Sequence, residues 1–138
     1  MPLVYSYYVL DIVHKGHLLM MENAKAVAGV SGTLIVGILT DDALMEKKRK
    51  PVMSFDERVD LARAIRFTDV VVAQENYSPL LNIQKIRPDI LMESDSHDAA
   101  DIHACRKFME DIGGKVITVP YYPTRSSSDI KEQIKSTV

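Results

Sequence analysis

Cys105 is the one cysteine in a chain of 138 residues, so no disulfide can close within it and no cysteine-rich zinc site can be assembled. A reducing, cytoplasmic setting fits that composition. No apolar run approaches the roughly 20 residues that a membrane span needs. The opening residues, Met1-Pro2-Leu3-Val4-Tyr5, lack the basic and then apolar leader of a secreted protein, and the expectation is a soluble chain with no membrane partner. There is no excess of positive charge either: 17 Lys and Arg stand against 19 Asp and Glu, for a net charge of -2. That balance argues against a protein that coats nucleic acid, and no aromatic platform interleaves with basic residues as RNA binding requires. Also missing are a Walker sequence, a G-x-G-x-x-G turn, a G-x-S-x-G elbow and a convincing Cys-His pairing, which removes P-loop kinases, dinucleotide oxidoreductases and serine or thiol hydrolases as first choices.

What remains is an ordinary globular mixture, 46% apolar and 26% charged, at a length that suits one domain over residues 1–138. Short β-branched runs alternate with longer amphipathic ones, the pattern of an α/β domain. Strands are expected at Leu3 to Leu10, Thr33 to Leu39, Asp69 to Ala73, Ile90 to Met92 and Val116 to Val119. The spacing of Leu18, Met21, Ala24 and Ala28 predicts a helix from Gly16 to about Val27, stopped by Gly29 and Gly32. A short helical stretch follows Asp41, and Ser54 with Glu57 makes a capping box ahead of Phe55, Val59, Ala62 and Ile65. Ser78-Pro79 opens another helix through Ile86, Ile102 to Ile112 forms the next with Cys105 in its core stripe and His103 outside it, and a last one opens within Ser126 to Asp129. Right-handed crossovers then give a five-stranded open parallel sheet with helices on both faces, and ligands belong beyond the carboxyl ends of its strands.

Four segments lie just after strands. Asp11-Ile-Val-His14-Lys15-Gly16-His17 sets two imidazoles three residues apart, with a glycine permitting close backbone approach and a helix N-terminus favouring an anion. Two ordinary loop histidines would look the same, and a metal held by Asp11, His14 and His17 finds no further ligand cluster to support it. Lys47-Lys48-Arg49-Lys50-Pro51 concentrates positive charge, as either a solvated face or a group of phosphate neutralisers. Ser94-Asp95-Ser96-His97 could cap a turn, or bind a ribose, base or substrate hydroxyl. Thr124-Arg125-Ser126-Ser127-Ser128-Asp129 offers hydroxyls and a guanidinium at a helix start, where an N-cap alone would use one or two of them. Several anion sites along one sheet edge favour phosphate chemistry.

The Asp-x-x-His-x-Gly-His turn, the Lys47 to Pro51 run, Phe55-Asp56-Glu57-Arg58 and Arg125-Ser126-Ser127-Ser128 occur in the order found in the HIGH-motif nucleotidylyltransferases, which this chain resembles over nearly its whole length. Val36-Gly-Ile-Leu-Thr-Asp41, Lys50-Pro51 and Met53 to Arg58 are most similar to the small cytidylyltransferases, including those of glycerol 3-phosphate and of phosphonate biosynthesis. The resemblance implies a Rossmann-like domain, CTP with magnesium held mainly through the nucleotide phosphates, a small phosphonate or phosphate monoester as acceptor, and a homodimer. It implies catalytic roles for His14, His17, Lys47 and Lys50. Nucleotide binding falls to Tyr8, Val9, Leu10, Asp11, Gly16, Asp95, Arg125, Ser126, Ser127 and Ser128, and acceptor binding to Lys48, Arg58 and His97. No protein metal ligand is implied. Relatives often carry Gly-x-Phe-Asp where this chain has Tyr8-Val9-Leu10-Asp11, and the 94–97 segment and the serine-rich ending also differ from theirs. Adenylyl transfer to a flavin or sugar phosphate, a non-catalytic nucleotide sensor, and a protein-interaction domain built on Lys47 to Lys50 stand as alternatives.

Overall fold

The computed structural model describes residues 1–94, 99–120 and 127–137. Five strands, β1 (Leu3–Tyr8), β2 (Thr33–Leu39), β3 (Val70–Gln74), β4 (Ile90–Ser94) and β5 (Lys115–Val119), form one sheet in the order β3-β2-β1-β4-β5. Every neighbouring pair is parallel, so all the carboxyl ends share one edge. The strand order reverses between β1 and β4, which places the ligand crevice of this class of sheet above those two strands.

The helices are α1 (Lys15–Ala28), α2 (Asp41–Met45), α3 (Phe55–Ala64), α4 (Leu80–Ile86), α5 (Ala99–Asp111) and α6 (Ser127–Thr137). On one face Met21, Ala24 and Ala28 of α1 and Ala62 of α3 pack on Val4, Leu34, Val36 and Ile38. On the other, Ile83 of α4 and Cys105 and Met109 of α5 cover Tyr5, Tyr7 and Leu91. Helices on both faces, a buried Cys105 and an exposed His103 match expectation. Leu18 does not join this core: it is 39% exposed and shares a surface groove with Leu19 and Phe67. Among the described residues no helix is long and apolar enough to cross a membrane.

The glycine in β2 has a packing cause. The Tyr5 ring lies across Gly37, where an added Cβ would sit 2.0 Å from the phenol oxygen. That path lets the Tyr5 hydroxyl donate to Gln74 Oε1 at 2.6 Å and accept from Asn82 Nδ2 at 2.9 Å, tying β1, β3 and α4 together. A second difference from expectation lies at the end of β1, which stops at Tyr8 and not at Leu10. Leu10 takes a left-handed backbone, φ 57°, while its side chain is fully buried. Such a conformation costs a non-glycine residue roughly 1–2 kcal/mol, and here it turns Asp11 inward.

Candidate active site

His14 and His17 build the start of α1 with their own rings. His14 is the N-cap, in extended conformation, and its Nδ1 accepts from the Gly16 N–H at 3.0 Å. Three residues on, His17 Nδ1 accepts from the His14 N–H at 3.2 Å, completing a capping box in imidazole. The ring centroids stand 4.1 Å apart. A nitrogen that accepts carries no proton, so a neutral ring in either position has its N–H at Nε2.

Two expectations change with this geometry. Three N–H groups at the start of α1 are already engaged: Gly16 donates to His14 Nδ1, and His17 and Leu18 donate to the His14 carbonyl at 3.1 and 3.3 Å. His17 adds no positive charge, because burial, with the neighbouring His14, lowers its pKa to about 4. It donates a hydrogen bond as a neutral ring. In the unfolded chain the same ring charges near 6.5, so its burial removes stability as pH falls from 6.5 toward 4 and costs nothing above that window. A ring-proton NMR titration should show no His17 midpoint between pH 6 and 8; a midpoint near 6.5 would contradict the buried geometry.

Asp11 and Arg58, expected at the nucleotide and the acceptor, instead hold backbone. Asp11 is 2% exposed, accepts from the N–H groups of Val52 at 3.0 Å and Met53 at 2.8 Å, and pairs with Lys131 of α6. Burial alone would raise its pKa; Lys131 and the two N–H donors outweigh that and hold the carboxyl below its ordinary value. Arg58 is fully buried, its fork spread over the carbonyls of Val9 at 2.9 Å, Leu39 at 2.7 Å and Met53 at 3.2 Å and the carboxylate of Asp41 at 2.7 Å. A guanidinium so placed has its donors engaged by the chain itself and is enclosed within the fold. One local signal pointed this way: Arg58 stands three residues after Phe55 and four before Ala62, on the apolar stripe of α3.

Lys47, Lys48, Arg49 and Lys50 are exposed. Lys47 lies 3.6 Å from Asp101 of α5 and over the Tyr77 ring, on the α4/α5 side of the strand edge. Gly16 is buried in the first turn of α1, and Tyr8 is buried with its ring edge-on to His17 at 6.5 Å. Val9 offers its carbonyl to Arg58, and Leu10 is core. Asp95, His97, Arg125 and Ser126 lie outside the described residues; Ser127 and Ser128 open α6.

One buried pair escaped the sequence reading. Below the crevice, the Tyr7 hydroxyl on β1 donates to the carboxylate of Glu93 on β4, 2.9 and 2.8 Å from its two oxygens. Glu93 is 1% exposed. Burial raises its pKa to about 7, aided by Asp101 and opposed by Tyr7 and Arg106. The signal was an acidic residue two places after Leu91, on the inward face of β4. The folded chain holds this proton more tightly than the unfolded one, so stability falls as pH rises from 4.5 through 7. Glu93→Gln should remove that slope and stabilise the fold at pH 8 by about 1–2 kcal/mol, read from urea unfolding at pH 5 and 8. Equal destabilisation at both pH values would contradict it.

Residues 9–133 match the family model described as Cytidylyltransferase-like. The chain is 29% identical over 96% of its length to the bifunctional protein HldE of Citrifermentans bemidjiense, of which it spans only 27%. It is 27% identical over 90% of its length to the FAD synthase of Korarchaeum cryptofilum, covering 85% of that protein. A D-beta-D-heptose 1-phosphate adenylyltransferase of Bordetella bronchiseptica is 26% identical over 97% of the chain and 82% of its own length. In fold, the chain is similar to a lipopolysaccharide core biosynthesis protein of Thermoplasma volcanium, with a TM-score of 0.70, 20% identity and coverage of 88% of this chain and 96% of that one. With a family match across most of the sequence and the imidazole pair at the head of α1, the chain belongs to the cytidylyltransferase-like family, within the HIGH-motif nucleotidylyltransferases.

Proposed function

We propose that this chain transfers a nucleoside monophosphate from a nucleoside triphosphate to a small phosphorylated acceptor. The single observation that carries the reading is the imidazole capping box, which uses both Nδ1 atoms and leaves Nε2 as the donor of each neutral ring at the head of α1, the helix that follows β1. An acceptor oxygen attacks the α-phosphorus, the bond from that phosphorus to the bridging oxygen breaks, and pyrophosphate leaves. The acceptor oxyanion is already a nucleophile, so the protein's part is positioning and stabilising the charge that grows on the phosphoryl and bridging oxygens. His14 and His17 donate to those oxygens, Lys47 and Lys50 neutralise phosphate charge, and Lys48 and His97 serve the acceptor. Among the described residues no three His, Cys, Asp or Glu side chains gather to hold a metal ion. In this proposal magnesium is carried by the phosphate oxygens and, when bound, would supply further charge neutralisation.

CTP is the donor in this proposal, with a small phosphonate or phosphate monoester as acceptor; the Val36 to Asp41, Lys50-Pro51 and Met53 to Arg58 segments support it. A second reading uses ATP with a flavin or sugar phosphate, and the names of the FAD synthase and heptose phosphate adenylyltransferase relatives favour it. Pyrophosphate release with magnesium decides between them, with CTP and ATP each set against a pool of small phosphonates, phosphate monoesters, FMN and sugar phosphates. Release with CTP alone is expected. Release with ATP alone keeps the mechanism and overturns the base, while nucleotide binding without release from either overturns the enzyme and favours a sensor.

A further inference from the structure

The basic 47–50 run is continuous at one end with the turn after α2, and at the other it enters a backbone segment gripped from several sides. Pro51 is buried, and its ring fixes one backbone angle. Asp11 receives the next two N–H groups, one on each carboxylate oxygen. The Met53 carbonyl accepts from Arg58 Nε at 3.2 Å, so this one residue is held by both its N–H and its C=O. Ser54 follows directly as the N-cap of α3. The same Asp11 oxygen that takes the Val52 N–H also pairs with Lys131 of α6, and the Arg58 fork reaches the ends of β1 and β2 and Asp41 of α2.

We propose that Asp11, Arg58 and Lys131 are positioning residues that clamp the Val52–Met53 backbone and thereby hold the basic 47–50 run and α6 as one unit against the histidine turn. The functional part rests on the transfer reading above; the clamp itself does not. Two oppositely charged side chains grip one peptide segment, and Lys131 brings a third element to the buried carboxylate. Lysines on a slack segment misplace their charge, and a shift of about 1 Å in such groups can cost on the order of a hundredfold in rate without weakening ground-state binding to match. The clamp therefore governs kcat more than KM.

The test reads amide exchange and kinetics together in the full chain, using Asp11→Asn, Lys131→Met and Lys131→Arg. Lys131 is partly exposed, so its variants keep the fold even if Asp11→Asn does not. NMR-detected exchange of the Val52 and Met53 amides should quicken at least about tenfold in Lys131→Met, with the β2 amides unchanged, and return to the wild-type rate in Lys131→Arg. In pyrophosphate release, kcat of Lys131→Met should fall about tenfold, with the nucleotide KM within about threefold of wild type and recovery in Lys131→Arg. A raised nucleotide KM with unchanged exchange at 52 and 53 overturns the proposal, since Lys131 then acts on the nucleotide directly. Should the wild type release no pyrophosphate from any nucleotide, the transfer reading fails by itself; faster exchange in Lys131→Met still supports the clamp, and unchanged exchange removes it.

Discussion

Replacing His17 with alanine lowers pyrophosphate release at saturating substrates by about a hundredfold or more, on the order of 3 kcal/mol of transition-state stabilisation. The size follows from what the ring does. Its Nδ1 is used up by the His14 N–H, which fixes the proton on Nε2 and the ring's direction before any substrate arrives. A donor oriented in advance costs no reorganisation when charge develops, and a neutral ring gives up little of its hydrogen bond to ground-state solvation. The same substitution opens the capping box, worth roughly 1 kcal/mol of fold stability, so a rate loss has to be separated from a loss of folded protein. His17→Gln makes that separation, because glutamine at this position of a capping box reaches back to the N-cap N–H. Its stability should match the wild type while its rate stays at least about tenfold down. Near-normal turnover in folded His17→Ala would remove the ring from the mechanism.

Arg58→Met is expected to destabilise the fold by about 3–5 kcal/mol, a large part of the total that holds a domain of this size together. Methionine fills much of the space but donates nothing. The carbonyls of Val9, Leu39 and Met53 lose their guanidinium donor, and Asp41 loses the partner 2.7 Å away. The Val9 contact also supports the turn in which Leu10 takes its left-handed backbone. Urea unfolding monitored by circular dichroism measures the loss. A change under about 1 kcal/mol would mean that the buried fork is replaceable, and would reopen a substrate role for Arg58.

The elements were legible because their signals are local. Alternation of β-branched runs with helical stripes, the Ser54 capping box and the Gly29 and Gly32 stop needed no knowledge of distant residues. The histidine turn was legible for a related reason: a spacing of three is the spacing of a capping box, though the sequence did not say that the rings themselves would do the capping. The backbone partners of Asp11 and Arg58 were not legible because they are far along the chain. Val52 and Met53 lie 41 and 42 residues after Asp11, and Val9 lies 49 residues before Arg58. A charged residue beside a motif reads as a ligand-binding group until its burial is known, and burial is a property of the fold. Tyr7 and Glu93 were missed on the same ground, 86 residues apart and joined only because β1 and β4 are neighbours in the sheet.

Phosphorus NMR of a mixture of the chain, magnesium, CTP and the acceptor pool tests the central claim, that this imidazole-capped crevice moves a nucleotidyl group. The account predicts pyrophosphate together with a new pair of coupled resonances from a product joining CMP to the acceptor through a diphosphate or phosphonate-phosphate linkage, both accumulating about a hundredfold more slowly with His17→Ala. CTP and ATP surviving unchanged in separate mixtures, with nucleotide bound and the chain folded, would contradict it.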